Sequence, residues 1–214
     1  MNTSLKEEYS QLVKDIGKGG EWTPERIDIY QRAMAYKASQ EALRHEFVNG
    51  ILPSVRDDFR NQVLERHNQL RNLHSNTNGV TLNVQLQEEA QAWANKLAAD
   101  NSGLLHDDNR NGAGENLYFM NNSLMFSPTG AETTDVWYKE YKNYNFITGQ
   151  STNGQPIGHF TQVVWKATTE IGAGIASDSH GKYYVCVRYR TAGNTQGQYV
   201  DNVMTTKPGA QLPA

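Results

Sequence analysis

Cysteine is almost missing from this 214-residue chain: Cys186 stands alone, so no disulfide can close within it. That scarcity fits a reducing compartment, and a cytoplasmic or non-classically exported setting is the expectation. Long apolar runs are missing too. No stretch of about 18 apolar residues occurs, so nothing reads as a transmembrane helix. Charge of one sign is not in excess, since 20 Lys and Arg against 23 Asp and Glu leave a net charge of −3. A nucleic-acid partner, which needs a basic footprint, is therefore not expected. The first residues, Met1 to Glu8, are acidic and amphipathic rather than patterned as a secretory leader.

What is present reads as one domain with an extension, or as one and a half domains. Residues 1–55 look helical and separate. Ser4 and Glu7 have capping-box spacing, and Leu5, Tyr9, Leu12 and Ile16 recur at helical steps until Gly17, Gly19 and Gly20. Thr23-Pro24-Glu25 opens a second helix with Ile27, Tyr30, Met34 and Ala38 as its apolar stripe, and Asn49-Gly50 is the expected stop. Residues 56–206 form the main domain, and 207–214, with two prolines, a flexible tail.

Within the main domain a helix opens at Ser54 and sets Phe59, Val63, His67, Leu70 and His74 on one side. Another follows Thr81-Leu82-Asn83 with Leu86, Ala90, Trp93, Ala94 and Leu97 as its buried face. A polar loop from Asn101 to Gly114 carries His106. Glu115 to Phe119 reads as extended, Pro128-Thr129-Gly130 precedes a helix through about Lys142, and His159 begins one ending near Lys166. Lys182 to Arg190 alternates, with Tyr183, Val185, Val187 and Tyr189 opposite Tyr184, Cys186, Arg188 and Arg190. Gly172 to Ala176 is its expected antiparallel neighbour. That Gly-x-Gly is no dinucleotide fingerprint, because no third glycine or helix follows. The expected class is α+β, a sheet between helical layers. Cys186 reads as a small buried residue on a strand.

Alone, His106 and His159 are ordinary histidines. Glu140, among Trp137 and Tyr141, and Glu115, ahead of the apolar run Leu117-Tyr118-Phe119-Met120, each need a partner if buried, because isolated burial of a carboxylate is very costly. Composition and spacing do not bring the four together.

A resemblance does. Gly158-His159-Phe160-Thr161-Gln162-Val163-Val164-Trp165, Gly114-Glu115-Asn116-Leu117 and the stretch ending Arg188-Tyr189-Arg190-Thr191-Ala192-Gly193-Asn194 resemble the CAP superfamily of cysteine-rich secretory proteins, antigen 5 and pathogenesis-related 1 proteins. The disulfide-free Golgi-associated branch is the most similar, sharing Asn143-Tyr144-Asn145-Phe146. The likeness spans about residues 59–203. It implies a three-layer α-β-α sandwich with an N-terminal helical extension, and a cleft where His106 and His159 are metal ligands with Glu115 and Glu140 supporting them or a bound water. Val187 stands where the signature usually has cysteine, and Thr191 where it has proline. Asn121 replaces a serine suggested for catalysis in the Golgi-associated type and cannot serve as a nucleophile; Ser123 lies nearby.

Two neutral imidazoles are good Zn²⁺ ligands, but two protein donors plus water make a weak, open site. Imidazole ligation is lost on protonation, which for histidine in water falls at about pH 6.5. Three roles stay open for the tetrad: a divalent-metal cleft, a hydrogen-bonded cluster tying helices to sheet, or a hydrolytic centre with Glu115 or Glu140 as catalytic candidates. The run Leu117 to Phe126 is a candidate lipid or sterol contact. A protein partner or a homodimer is the other expected association, with the N-terminal helices as an alternative working surface.

Overall fold

The structure, a computed structural model, describes residues 3–47, 53–101, 103–121, 127–178 and 180–213, with side chains over 39–54 left aside. The expected stop at Asn49-Gly50, Ser123, and Leu124 to Phe126 lie outside the described residues. The chain divides into two compact units, Met1–Gly50 and Ile51–Ala214.

The first unit is α1 (Thr3–Gly17) and α2 (Pro24–Phe47). Ser4 does not cap α1: it lies within the helix, and its hydroxyl donates to Glu8 at 2.5 Å. Thr23 does cap α2, its Oγ1 accepting from the Arg26 N–H at 3.3 Å. The expected stripe of α2 is corrected. Ile27 and Tyr30 are each 41% exposed, whereas Ala33 is buried. Ion pairs of Arg26 with Asp15 (3.3 Å) and Arg32 with Glu8 (2.9 Å) turn a different face of α2 toward Leu12 of α1. Tyr30 packs edge-on against Trp22 instead.

The second unit runs α3 (Pro53–Arg71), β1 (Thr81–Leu82), α4 (Val84–Asp100), β2 (Gly114–Asn121), α5 (Gly130–Tyr138), a 3₁₀ turn (Lys139–Asn143), β3 (Tyr144–Asn145), β4 (Gln150–Ser151), α6 (Gly158–Val163), β5 (Glu170–Ser177), β6 (Lys182–Arg190) and α7 (Tyr199–Asn202). The main sheet has the order β1-β5-β6-β2. β5 and β6 form the expected hairpin, β2 adds antiparallel to β6, and β1 adds parallel to β5. β1, β3 and β4 were not expected, since two residues are too few to show alternation.

α4 covers one face of this sheet. Ala90, Ala94 and Leu97 pack on Leu117, Tyr184 and Cys186. The approach is close because β5 offers Gly172 and Gly174 there. A Cβ on Gly174 would sit 2.4 Å from the Gln91 backbone, and one on Gly172 2.2 Å from that of Leu86 and Gln87. On the other face lie α3, α5 and α6, with Phe59, Val63, His67 and Leu70 buried. Each fully buried aliphatic or phenyl side chain there contributes about 1.5–3 kcal/mol. The fold is thus the α+β, three-layer α-β-α sandwich.

Trp93, expected in the buried face of α4, is only half-buried because its indole N–H needs an acceptor, which it finds 3.0 Å away at the Leu105 carbonyl. The helix expected through Lys142 tightens to 3₁₀ geometry at Lys139, and the one expected to Lys166 ends at Val163. In the segment 207–214, Lys207 bonds to the Leu73 carbonyl through its N–H (2.8 Å) and to Asn72 through Nζ (2.9 Å). The Pro213 carbonyl accepts from the Tyr141 hydroxyl at 3.3 Å.

Candidate functional site

The four predicted residues resolve into two imidazole–carboxylate pairs. His106 Nδ1 lies 2.5 Å from Glu115 Oε1, and His159 Nδ1 lies 2.7 Å from Glu140 Oε1. A carboxylate accepts, so each imidazole donates through Nδ1–H. Nε2 is then left as the lone-pair donor, on side chains that are 55% exposed at His106 and 37% at His159. Among the described residues no group of three or more His, Cys, Asp and Glu side chains has metal-holding geometry. Each pair offers one free imidazole nitrogen.

The His159 arm rests on α6. Glu140, delivered by the 3₁₀ turn after α5, accepts from the backbone N–H groups of His159 (2.9 Å) and Phe160 (3.2 Å) as well as from the imidazole. One carboxylate therefore caps the helix and fixes the ring. At the other end Arg71, fully buried, donates to the carbonyls of Val163 (3.0 Å), Trp165 (2.9 Å), Thr168 (2.9 Å) and Asn78 (2.7 Å). Burial depresses its pKa to about 10. Trp137 stacks on the His159 ring with centroids 6.2 Å apart and gives its N–H to the Leu117 carbonyl on β2.

The signature motifs meet at α6. Gln162 accepts from the Gly193 N–H at 2.8 Å, Asn194 Nδ2 donates to the Gly158 carbonyl at 2.8 Å, and Thr161 donates to Asn194 Oδ1 at 2.6 Å. Asn116 of β2 donates to the His159 carbonyl at 3.1 Å and to the Tyr189 hydroxyl at 3.1 Å. That hydroxyl reaches His67 Nε2 at 3.0 Å, while His67 Nδ1 donates to the Val63 carbonyl at 2.8 Å. Burial, aided by the charge of Arg71 and opposed by the Val63 bond, lowers the His67 pKa to about 4, so this ring is neutral.

The His106 arm rests on β2 and β6. Glu115 faces Arg188 across the strand pair, with Oε2 to Nη2 at 3.0 Å, and Arg188 also binds Asp107 at 2.7 Å. Cys186 is buried as expected and points its thiol at Glu115 Oε2, 3.5 Å away. Burial and the Glu115 charge push that thiol well above its ordinary pKa, which makes it a poor nucleophile. Arg188 and Asp107 were not among the predicted site residues. The usable signal was register: pairing β2 against β6 with Gly114 opposite Tyr189 sets Glu115 against Arg188.

Of the remaining candidates, Leu117 is buried, Tyr118 and Met120 are half-buried, and Phe119 is 37% exposed beside Tyr184. Asn121 is exposed at the end of β2. Among the described residues no helix is long and apolar enough to cross a membrane.

A three-layer sandwich in which α6 carries His159 tied to Glu140, and β2 carries Glu115 tied to His106 of the preceding loop, is the architecture the motifs imply. The model of the Cysteine-rich secretory protein family, CAP, matches residues 64–189, and the chain belongs to that family. The human Golgi-associated plant pathogenesis-related protein 1 is 39% identical over 158 residues, covering 72% of this chain and 97% of its own length. The solved structure of NaASP2 with Zn²⁺ superposes with a TM-score of 0.54 at 22% identity, covering 70% of this chain and 86% of that one. The structure of BmVAL-1 superposes with a TM-score of 0.55 at 27% identity, covering 64% and 79%.

Proposed function

We propose that this CAP-domain protein uses His106 and His159 as the two protein ligands of a weak divalent-metal site, with Glu115 and Glu140 holding the rings. The observation that carries this reading is the shared geometry: both imidazoles give Nδ1–H to a carboxylate, which fixes the tautomer that keeps Nε2 as a ligand. A bound cation would supply Lewis acidity and an organised water there. Glu115 and Glu140 already accept from several donors each, which favours a supporting role over that of general base. NaASP2 with Zn²⁺ shares the fold.

Beside this cleft the chain binds a lipid, a sterol or a protein partner, with Leu104 (42% exposed), Leu105 (56%) and Phe119 (37%) as apolar contacts. The reducing, cytoplasmic or non-classically exported setting belongs to the same reading and rests on the solitary buried thiol. The test is a Zn²⁺ titration of the chain, followed by calorimetry and histidine side-chain NMR. Saturable binding that moves His106 and His159 together, and is lost in His106→Ala and in His159→Ala, is the expected result. Zn²⁺ leaving both rings unmoved would sink the metal reading. A fluorescent sterol or mixed-lipid vesicles showing no saturable binding, with no protein captured either, would sink the ligand reading.

A further inference from the structure

His159 rides on a capped helix, but His106 sits in the irregular stretch between α4 and β2, where no backbone ladder fixes it. Three polar groups supply what the backbone does not. Glu115 Oε1 accepts from the His106 ring at 2.5 Å and from the Asp107 N–H at 3.2 Å. Glu115 Oε2 meets Arg188 Nη2 at 3.0 Å, and the same Nη2 reaches back to Asp107 Oδ2 at 2.7 Å. Asp107 thus grips Glu115 twice, directly through its N–H and indirectly through the guanidinium. The ring of contacts is closed, and His106 is the residue next to it in sequence.

We propose that Asp107 and Arg188 are positioning residues for His106, their bracket around Glu115 setting the direction in which its Nε2 points; this rests on the metal-cleft reading above. The Arg188 side chain is 1% exposed, and its Nε and Nη1 have no hydrogen-bond partner among the described residues. Its hydrogen bonding to oxygen therefore falls on the two carboxylates. A buried cation with so few acceptors holds them firmly, because each charge-assisted bond is short and strong in low dielectric.

Asp107→Asn keeps the side-chain shape and the backbone N–H while replacing the anion that Arg188 binds. In metal-free protein, ¹⁵N NMR of the histidine rings is expected to show His106 moving from the Nδ1–H form to an average of both tautomers, with His159 unchanged. Zn²⁺ affinity should fall about tenfold, the usual scale for a lost supporting contact to a metal-bound histidine. Asp107→Glu should restore part of both. Arg188→Met should give the same pattern, and because its burial puts folding at risk, Asp107→Asn at the more accessible edge carries the test. Wild-type His106 shifts in Asp107→Asn would overturn the proposal, as would changes spread equally to His159 with a lowered Tm. Should wild-type protein fail to bind Zn²⁺, the metal reading falls while the metal-free spectra still decide the role of Asp107.

Discussion

Glu115 and Asn116 are neighbours on β2 whose side chains turn to opposite faces of the sheet, the first holding the ring of His106 and the second the backbone carbonyl of His159. The Glu115 carboxylate turns toward Cys186 and Arg188 and takes the His106 ring, while the Asn116 amide turns toward Tyr189 and takes the His159 carbonyl. A strand alternates its side chains, so two consecutive residues make a two-sided fixture with a fixed offset.

Glu140 has three donors on its two oxygens, the ring and two N–H groups of α6. Glu140→Gln turns an amide NH₂ toward one of these donor sets. It should cost about 1–2 kcal/mol, the scale of a lost helix cap, and weaken Zn²⁺ binding about tenfold. Urea unfolding and calorimetry measure the two losses. Wild-type values in both would show that the cap and the ring orientation do not depend on this carboxylate.

Stability should fall in mild acid. His67 titrates at about 4 in the folded chain, against about 6.5 when unfolded, so the unfolded state takes up the proton first. Folding free energy is therefore intact above about pH 6.5 and declines toward pH 4, by up to about 3 kcal/mol from this ring. His74, buried and bonded to the Met204 carbonyl, shifts the same way, chiefly by burial. Urea midpoints at pH 7 and pH 5 test the slope, and His67→Gln should flatten it. Equal midpoints for the wild-type chain would contradict a neutral buried imidazole.

The fold was largely readable because its long elements carry strong periodicity. Phe59, Val63, His67, Leu70 and His74 are all buried, as their spacing implies. The site was readable only through motif resemblance, because His106, Glu115, Glu140 and His159 come from separate elements and pair through tertiary structure. The α2 stripe was misplaced since Ile27, Tyr30 and Met34 look apolar while ion pairs from Arg26 and Arg32 choose the packed face. Arg188 and Asp107 escaped notice because nothing local distinguishes a strand arginine that faces solvent from one that meets two carboxylates.

Gly174 tests the layer contact. A methyl group there would lie 2.4 Å from the α4 backbone at Gln91, and backbone cannot rotate aside as a side chain does. Gly174→Ala should force α4 off the sheet and cost about 1–3 kcal/mol or more. Thermal unfolding reads the loss. Because Glu115 and Cys186 lie on the same face, the His106 NMR signals should shift too, whereas those of His159 should move less. A wild-type Tm would mean the helix accommodates the methyl without loss.

Arg71 bears on the other arm. Its acceptors are four backbone carbonyls, three of them in Val163 to Thr168 just beyond the turns that carry His159. Arg71→Met fills similar volume but withdraws the guanidinium from all four; the Trp165 oxygen still accepts from the Thr168 N–H at 3.1 Å, and each buried oxygen left without a donor costs about 1–3 kcal/mol. A total loss on the order of 4 kcal/mol is expected after relaxation and water entry. Arg71→Lys keeps a cation with fewer, unforked donors and should fall between. Denaturant unfolding followed by tryptophan fluorescence, with Trp165 close at hand, ranks the three proteins. If Arg71→Met matched the wild type, the far end of α6 would be held by packing alone, and the orientation of His159 would rest on Glu140 and Asn116.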